Sequence, residues 1–144
     1  MITTTEHTLA GTSPAAASSA AGTVVIYGLA GCDAITVVGA LLGATGGTLD
    51  VYLQTSHDGG TTWYDYAHFT QLASGAAAIK QTFHQSRAST LAVTTVGTAT
   101  TFALGAGVVA GGSWGNCMRL GFTAGVGTSA GAVQTITIRG HKAS

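Results

Sequence analysis

Residues 49–69 read LDVYLQTSHDGGTTWYDYAHF, and this stretch decides the fold class. Apolar side chains recur at every second position through Leu49, Val51 and Leu53, and a second β-favouring run follows from Trp63. A two-residue period is that of a strand with one buried face. Between the runs lies His57-Asp58-Gly59-Gly60. Glycine adopts the positive φ of a tight turn at no steric cost, so the two runs read as a β-hairpin. Two registers are open. An even turn sets Leu53 opposite Tyr64, so that Leu49, Val51 and Leu53 share a face with Tyr64, Tyr66 and His68. A one-residue bulge at the glycine pair reverses the second strand and brings Trp63, Ala67 and Phe69 to that face. The bulge is favoured because it buries Trp63 and Phe69 and leaves Tyr64 and His68 outside. It also obliges Asp65 to find a hydrogen-bond partner.

Outward from the hairpin, short runs rich in Val, Ile, Thr and aromatic residues alternate with glycine-rich turns. Strands are expected at 23–29, 34–42, 48–56, 61–69, 76–84, 90–96, 99–104, 116–123 and 133–140. In the last of these, Ile136 and Ile138 face inward and the threonines between them face out. A short helix through Leu72–Ala78 is the one alternative to strand. Glycine clusters at 46–47, 105–115 and 121–131 mark turns and long loops. The expected fold is therefore all-β, an antiparallel sandwich or barrel of about 8–9 short strands with Gly-rich loops. Residues 1–22 (MITTTEHTLAGTSPAAASSAAG) lack an apolar rhythm and are expected to form a flexible N-terminal arm, with a single β domain over 23–144.

Composition narrows the function. The 144 residues suffice for one core. Charged residues make up 7% of the chain, against roughly 25% in an average domain, and five basic side chains balance five acidic ones. A surface so poor in charge suits burial against a partner, since few ions need desolvating on contact. The first expectation is a homo-oligomer, with a trimer as its form. No cluster of Lys and Arg offers a phosphate grip, so nucleic acid is not an expected partner. Residues 24–44 are apolar, but Asp33 and four glycines interrupt them. They read as two strands around a Gly-Cys-Asp turn rather than a membrane span. The N-terminus lacks the positive region of a signal peptide, and the expectation is a soluble product of the cytoplasm. Cys32 and Cys117 are expected as small buried residues, a bridge between them being possible only if their strands are neighbours.

No catalytic, cofactor or metal site is expected. Apart from Glu6 in the arm, the acids are Asp33, Asp50, Asp58 and Asp65. Asp50 and Asp65 can approach across the hairpin, but the two registers give them no agreed face. The histidines at 7, 57, 68, 84 and 141 are scattered, and no HExxH or CxxC spacing or nucleophile elbow occurs. Tyr52, Trp63, Tyr64, Tyr66 and Trp114 could form a platform for sugar rings; aromatic residues of this kind more commonly serve as core and interface anchors.

Two resemblances attach to the hairpin. Ser56, Asp58, Gly60, Thr62 and Trp63 resemble the Asp-box, Ser-x-Asp-x-Gly-x-Thr-Trp, which recurs in sialidases and other carbohydrate-active propellers. There it braces a hairpin away from the catalytic centre. The resemblance implies that the Asp58 carboxylate accepts turn N–H groups with Trp63 packed beneath, and it implies no glycosidase. More broadly, DVYLQTSHDGGTTWYDYAHF, followed by a Gly/Ala/Thr-rich β region and VQTITIRGHK, is similar to small virion proteins of tailed bacteriophages. That likeness implies a capsid decoration (cement) protein docked on the major capsid protein, located in the virion. A tail tube or other tail component, or a carbohydrate-binding β module, are the alternatives.

Overall fold

The computed structural model describes residues 3–12, 19–42, 47–72, 76–84, 96–97, 102, 104–110, 113–126 and 133–142. Among these lie nine strands: β1 (Thr3–Thr12), β2 (Ser19–Tyr27), β3 (Ala34–Leu42), β4 (Leu49–Ser56), β5 (Trp63–His68), β6 (Ala76–His84), β7 (Val96–Gly97), β8 (Cys117–Ala124) and β9 (Val133–Lys142). They form two antiparallel sheets, β1-β9-β3-β6 (sheet A) and β2-β8-β4-β5-β7 (sheet B). Both sheets keep open edges, so the architecture is a sandwich and not a barrel. With the two-residue β7 set aside, consecutive strands cross between the sheets except at the β4–β5 hairpin, which is the order of a jelly roll.

The core follows from the two-residue period. Ile35 and Val37 on β3, Leu49, Val51 and Leu53 on β4, Leu120 and Phe122 on β8, and Ile136 and Ile138 on β9 all point between the sheets. Tyr66 closes one side of this core, edge-on to Phe83 at 5.5 Å and to Trp114 at 6.0 Å. The Trp114 indole N–H donates to the Leu29 carbonyl, which ties the approach to β8 onto the β2–β3 turn. Residues 24–42 are the end of β2, a turn through Cys32 and Asp33, and β3, as the sequence indicates; no helix among the described residues is long and apolar enough to cross a membrane. Cys32 and Cys117 are both free thiols and both buried. Burial pushes each thiol up, helped by Asp33 at Cys32, where Lys142 opposes the shift, and by Asp58 at Cys117.

Three expectations need correction or limits. Residues 1–22 are not strandless: β1 pairs with β9 in unbroken register from Thr3↔Lys142 to Thr12↔Val133, and β2 begins at Ser19. Ladder hydrogen bonds use the backbone and need no apolar rhythm, which is why the pattern did not reveal β1. Its one large apolar residue, Leu9, is 0% exposed in the core. The helix through Leu72–Ala78 is not formed, since β6 starts at Ala76 and Leu72 bridges back to Leu49. Of the strand expected at 90–96, only Val96 lies within the described residues, in β7. Phe102 and Leu104, from the strand expected at 99–104, are described and are not in a strand, and the other residues of that span lie outside.

The burial of Leu9 sets a test of β1. Leu9→Ala is expected to cost about 2–4 kcal/mol, the range for truncating a fully buried leucine, read as a lowered denaturation midpoint. Unchanged stability would return residues 1–12 to the status of an arm.

Candidate functional site

The hairpin turn carries the densest polar chemistry in the chain. Gly59 and Gly60 adopt φ of 75° and 98°, the left-handed values that side chains disfavour. The Asp58 carboxylate oxygen Oδ1 accepts three donors: the Ser56 hydroxyl at 2.8 Å, the Thr61 N–H at 3.1 Å and the Thr62 N–H at 2.8 Å. Ser56 Oγ in turn accepts the Gly60 N–H at 2.9 Å. The Trp63 indole N–H donates to the Gly60 carbonyl at 2.9 Å, with the ring lying against Gly60. These are the contacts the Asp-box resemblance implies. The Thr62 and Ser56 hydrogen bonds hold the Asp58 carboxyl at about 2, below its ordinary value.

The register departs from both expectations. Near the turn Thr55 pairs with Tyr64 and Gln54 with Asp65; further on, Leu53 pairs with Ala67 and Tyr52 with His68. The extra residue is Tyr66, so the bulge sits inside β5 and not at the glycine pair. Beyond it, Ala67 joins Leu49, Val51 and Leu53 in the core with Phe69 packed against them, as the bulged reading requires. Before it, Trp63 and Asp65 fall on the opposite face with Gln54, and Trp63 is buried there, outside the cluster between the sheets. There the Arg119 guanidinium stacks 4.2 Å over the Trp63 ring. Asp65 Oδ1 accepts the Gln54 amide N–H at 2.8 Å, and Gln54 Oε1 accepts the Arg119 Nε–H at 2.8 Å. Gln54 and Asp65 are almost wholly buried, and burial pulls the Arg119 guanidinium down while Asp65 opposes the shift.

A second network occupies the other half of this outer face. His68 Nε2 lies 3.0 Å from Asp50 Oδ1, and its Nδ1 lies 2.6 Å from the Leu104 carbonyl. Both partners accept, so the imidazolium donates to both and a neutral ring to one. The Gln71 amide also donates to both Asp50 oxygens. Tyr52 stacks between His68 at 4.0 Å and Phe102 at 4.6 Å. The Phe102 ring occupies the space a side chain at position 121 would need, which makes Gly121 its floor. Burial is the main cause that pushes the Tyr52 hydroxyl up to about 12. Residues 104–110 then run along β5: the His68 N–H donates to the Val108 carbonyl, the Gly107 N–H to His68, and the Ala110 N–H to Tyr66. Over β4 and β5 the outer face of sheet B is thus buried as well as the inner one.

Asp50 and Asp65 do share a face, but each is engaged in its own network. His57 is exposed at the turn and His68 buried at the far end of the strand. Tyr52, Trp63, Tyr66 and Trp114 are buried, so they form no open platform for sugar rings; Tyr64 is half-buried. Sequence reasoning missed Arg119, Gln54 and the Asp50–His68 pair. The one available signal was Asp65, whose predicted need for a partner Gln54 meets.

No protein-family model matches the chain, and no curated protein matches it. One solved structure, described as "Bacillus endospore appendages form a novel family of disulfide-linked pili", is similar at 16% identity, with 99% of this chain and 89% of that chain covered and a TM-score of 0.40. At that score the likeness carries no argument about this chain.

Two outcomes test the hairpin. Trp63→Ala is expected to cost about 3 kcal/mol, through lost burial and an unstacked Arg119, seen in denaturant titration; a wild-type midpoint would make Trp63 an exposed contact. Asp58 is more acidic in the fold than its ordinary 3.8. A depressed carboxyl stabilises above the unfolded value and loses that contribution as pH falls towards the folded one. The melting midpoint of Asp58→Ala should therefore lie below wild type at neutral pH, with the gap narrowing below pH 4 and closing near pH 2. A gap of constant size across that window would contradict this role.

Proposed function

We propose that this chain is a non-enzymatic structural subunit that acts by packing against copies of itself within a larger particle. The observation that carries the reading is where its few charges stand. Asp50, Asp58, Asp65 and Arg119 are spent on internal hydrogen bonds. The outer face of sheet A is left open, with exposed Thr8, Val38, Thr82 and Thr135 beside Lys80 and the Glu6–Arg139 ion pair at 3.0 Å. With only one charge on it not already paired within the chain, such a surface loses little on desolvation.

The finer reading is a capsid decoration protein of a tailed bacteriophage, docked on the major capsid protein. Its support is the likeness of residues 48–69 to small virion proteins, together with the neutral surface. Jelly rolls occur in viral capsid and lectin domains alike, so the topology accommodates this reading without selecting it.

Sedimentation of the purified chain at micromolar concentration is expected to give one discrete species heavier than 14.2 kDa. A monomer that persists at high concentration would overturn self-association. Electron microscopy of the parent particle separates the finer roles, density on the capsid shell supporting decoration and density in the tail supporting a tail component.

A further inference from the structure

We infer that the outer face of sheet A is the self-association surface, and that two copies pack it face to face about a two-fold axis running along the strands. This names the surface for the self-association proposed above and rests on it. The two sheets differ in what covers them. On β4 and β5 of sheet B the outward side chains Gln54, Ser56, Asp65 and His68 are buried, while Tyr27 at its β2 edge is 53% exposed. Sheet A's are open: Val38, at its centre, is 37% exposed, and Glu6, Thr8, Lys80, Thr82, Thr135 and Arg139 are exposed around it.

The register makes this face complementary to itself. Cross-strand rows run Glu6–Arg139–Thr36–Thr82 and Thr8–Thr137–Val38–Lys80. A two-fold axis along the strands, between β9 and β3, lays each β1 over the partner's β6 and each β9 over its β3. Row then meets row. Glu6 lands over Thr82 of the other copy, one same-face step (about 7 Å) from its Lys80. Lys80 lands over Thr8, and Arg139 over Thr36. Two Glu6–Lys80 approaches form by symmetry, and the two Arg139 side chains that flank the axis are each neutralised by Glu6 of their own chain at 3.0 Å. Between them the side chains are short, which lets two sheets approach to the roughly 10 Å of a sandwich interior.

Size fixes the alignment. Four strands of about nine residues give a footprint of about 19 by 30 Å, on the order of 600 Å² per copy before side-chain relief is counted. A standard interface takes roughly 800 Å² per partner. The face suffices only if it is used whole, which a centred two-fold does and an offset does not.

The full-length chain and four variants, each checked by circular-dichroism melting, are compared by sedimentation velocity. Val38→Lys, in the middle of the face, is expected to weaken association at least tenfold. Glu6→Gln and Lys80→Gln should each weaken it severalfold, and the double variant should weaken it no further than either alone. As a second readout, treating a mixture of Thr8→Cys chains and Lys80→Cys chains with a bismaleimide of about 10 Å span should give a cross-linked pair that neither gives alone. If the wild type associates but Val38→Lys associates equally and the cysteine mixture stays uncoupled, another surface is the interface and self-association stands. A monomeric wild type would remove both.

Discussion

One extra residue in one strand organises sheet B. A strand that alternates strictly sends every second side chain to the same face, and β5 would then present either Trp63, Asp65 and Ala67 or Tyr64, Tyr66 and His68 to the core according to a single choice of register. The bulge at Tyr66 breaks that choice in two. Ahead of it, Trp63 and Asp65 face outward; behind it, Ala67 faces the core; and Tyr66 itself turns inward to meet Phe83 and Trp114. The core gains an aromatic wedge, and the outer face gains a tryptophan and a carboxylate.

Those two outward groups determine what lies above them. A buried carboxylate is tolerated only where hydrogen bonds and opposite charge compensate it. Gln54 on the adjacent β4, and Arg119 on β8 beyond it, supply both. Further along the same face, Asp50 and His68 anchor the Leu104 carbonyl while Phe102 stacks on Tyr52. The connection after β7 is therefore held down by polar contacts at one point and by aromatic stacking at the next. A chain with so few charges uses four of them inside its own fold, and sheet A is left with a face that threonine dominates.

Much of this was legible in the sequence. The spans 34–42 and 76–84 coincide with β3 and β6, and the ends of β4, β8 and β9 lie within two residues of expectation. In these segments the local pattern and the burial agree. The turn chemistry of Ser56, Asp58, Gly60 and Trp63 was equally readable, because every contact there spans four residues or fewer. β1 was not readable, since its partners lie more than a hundred residues away and only Leu9 marks its inner face. Arg119 gave no local sign of stacking on Trp63, which a strand alignment sets and a spacing does not. The position of the bulge likewise depends on what Tyr66 finds across the core.

The two thiols carry a different consequence. Cys32 sits against Gly140, in the space a side chain there would take, and Cys117 pairs between Tyr27 and Ser56 at the core's edge. Buried thiols with raised pKa hold little thiolate and react slowly. The fold is thereby indifferent to the redox state of its surroundings, and can be assembled in a reducing compartment and persist in an oxidising one. Modification of either sulfur becomes a clock for opening of the sandwich: an alkylating reagent counts how often the sheets part, with no label added to the chain.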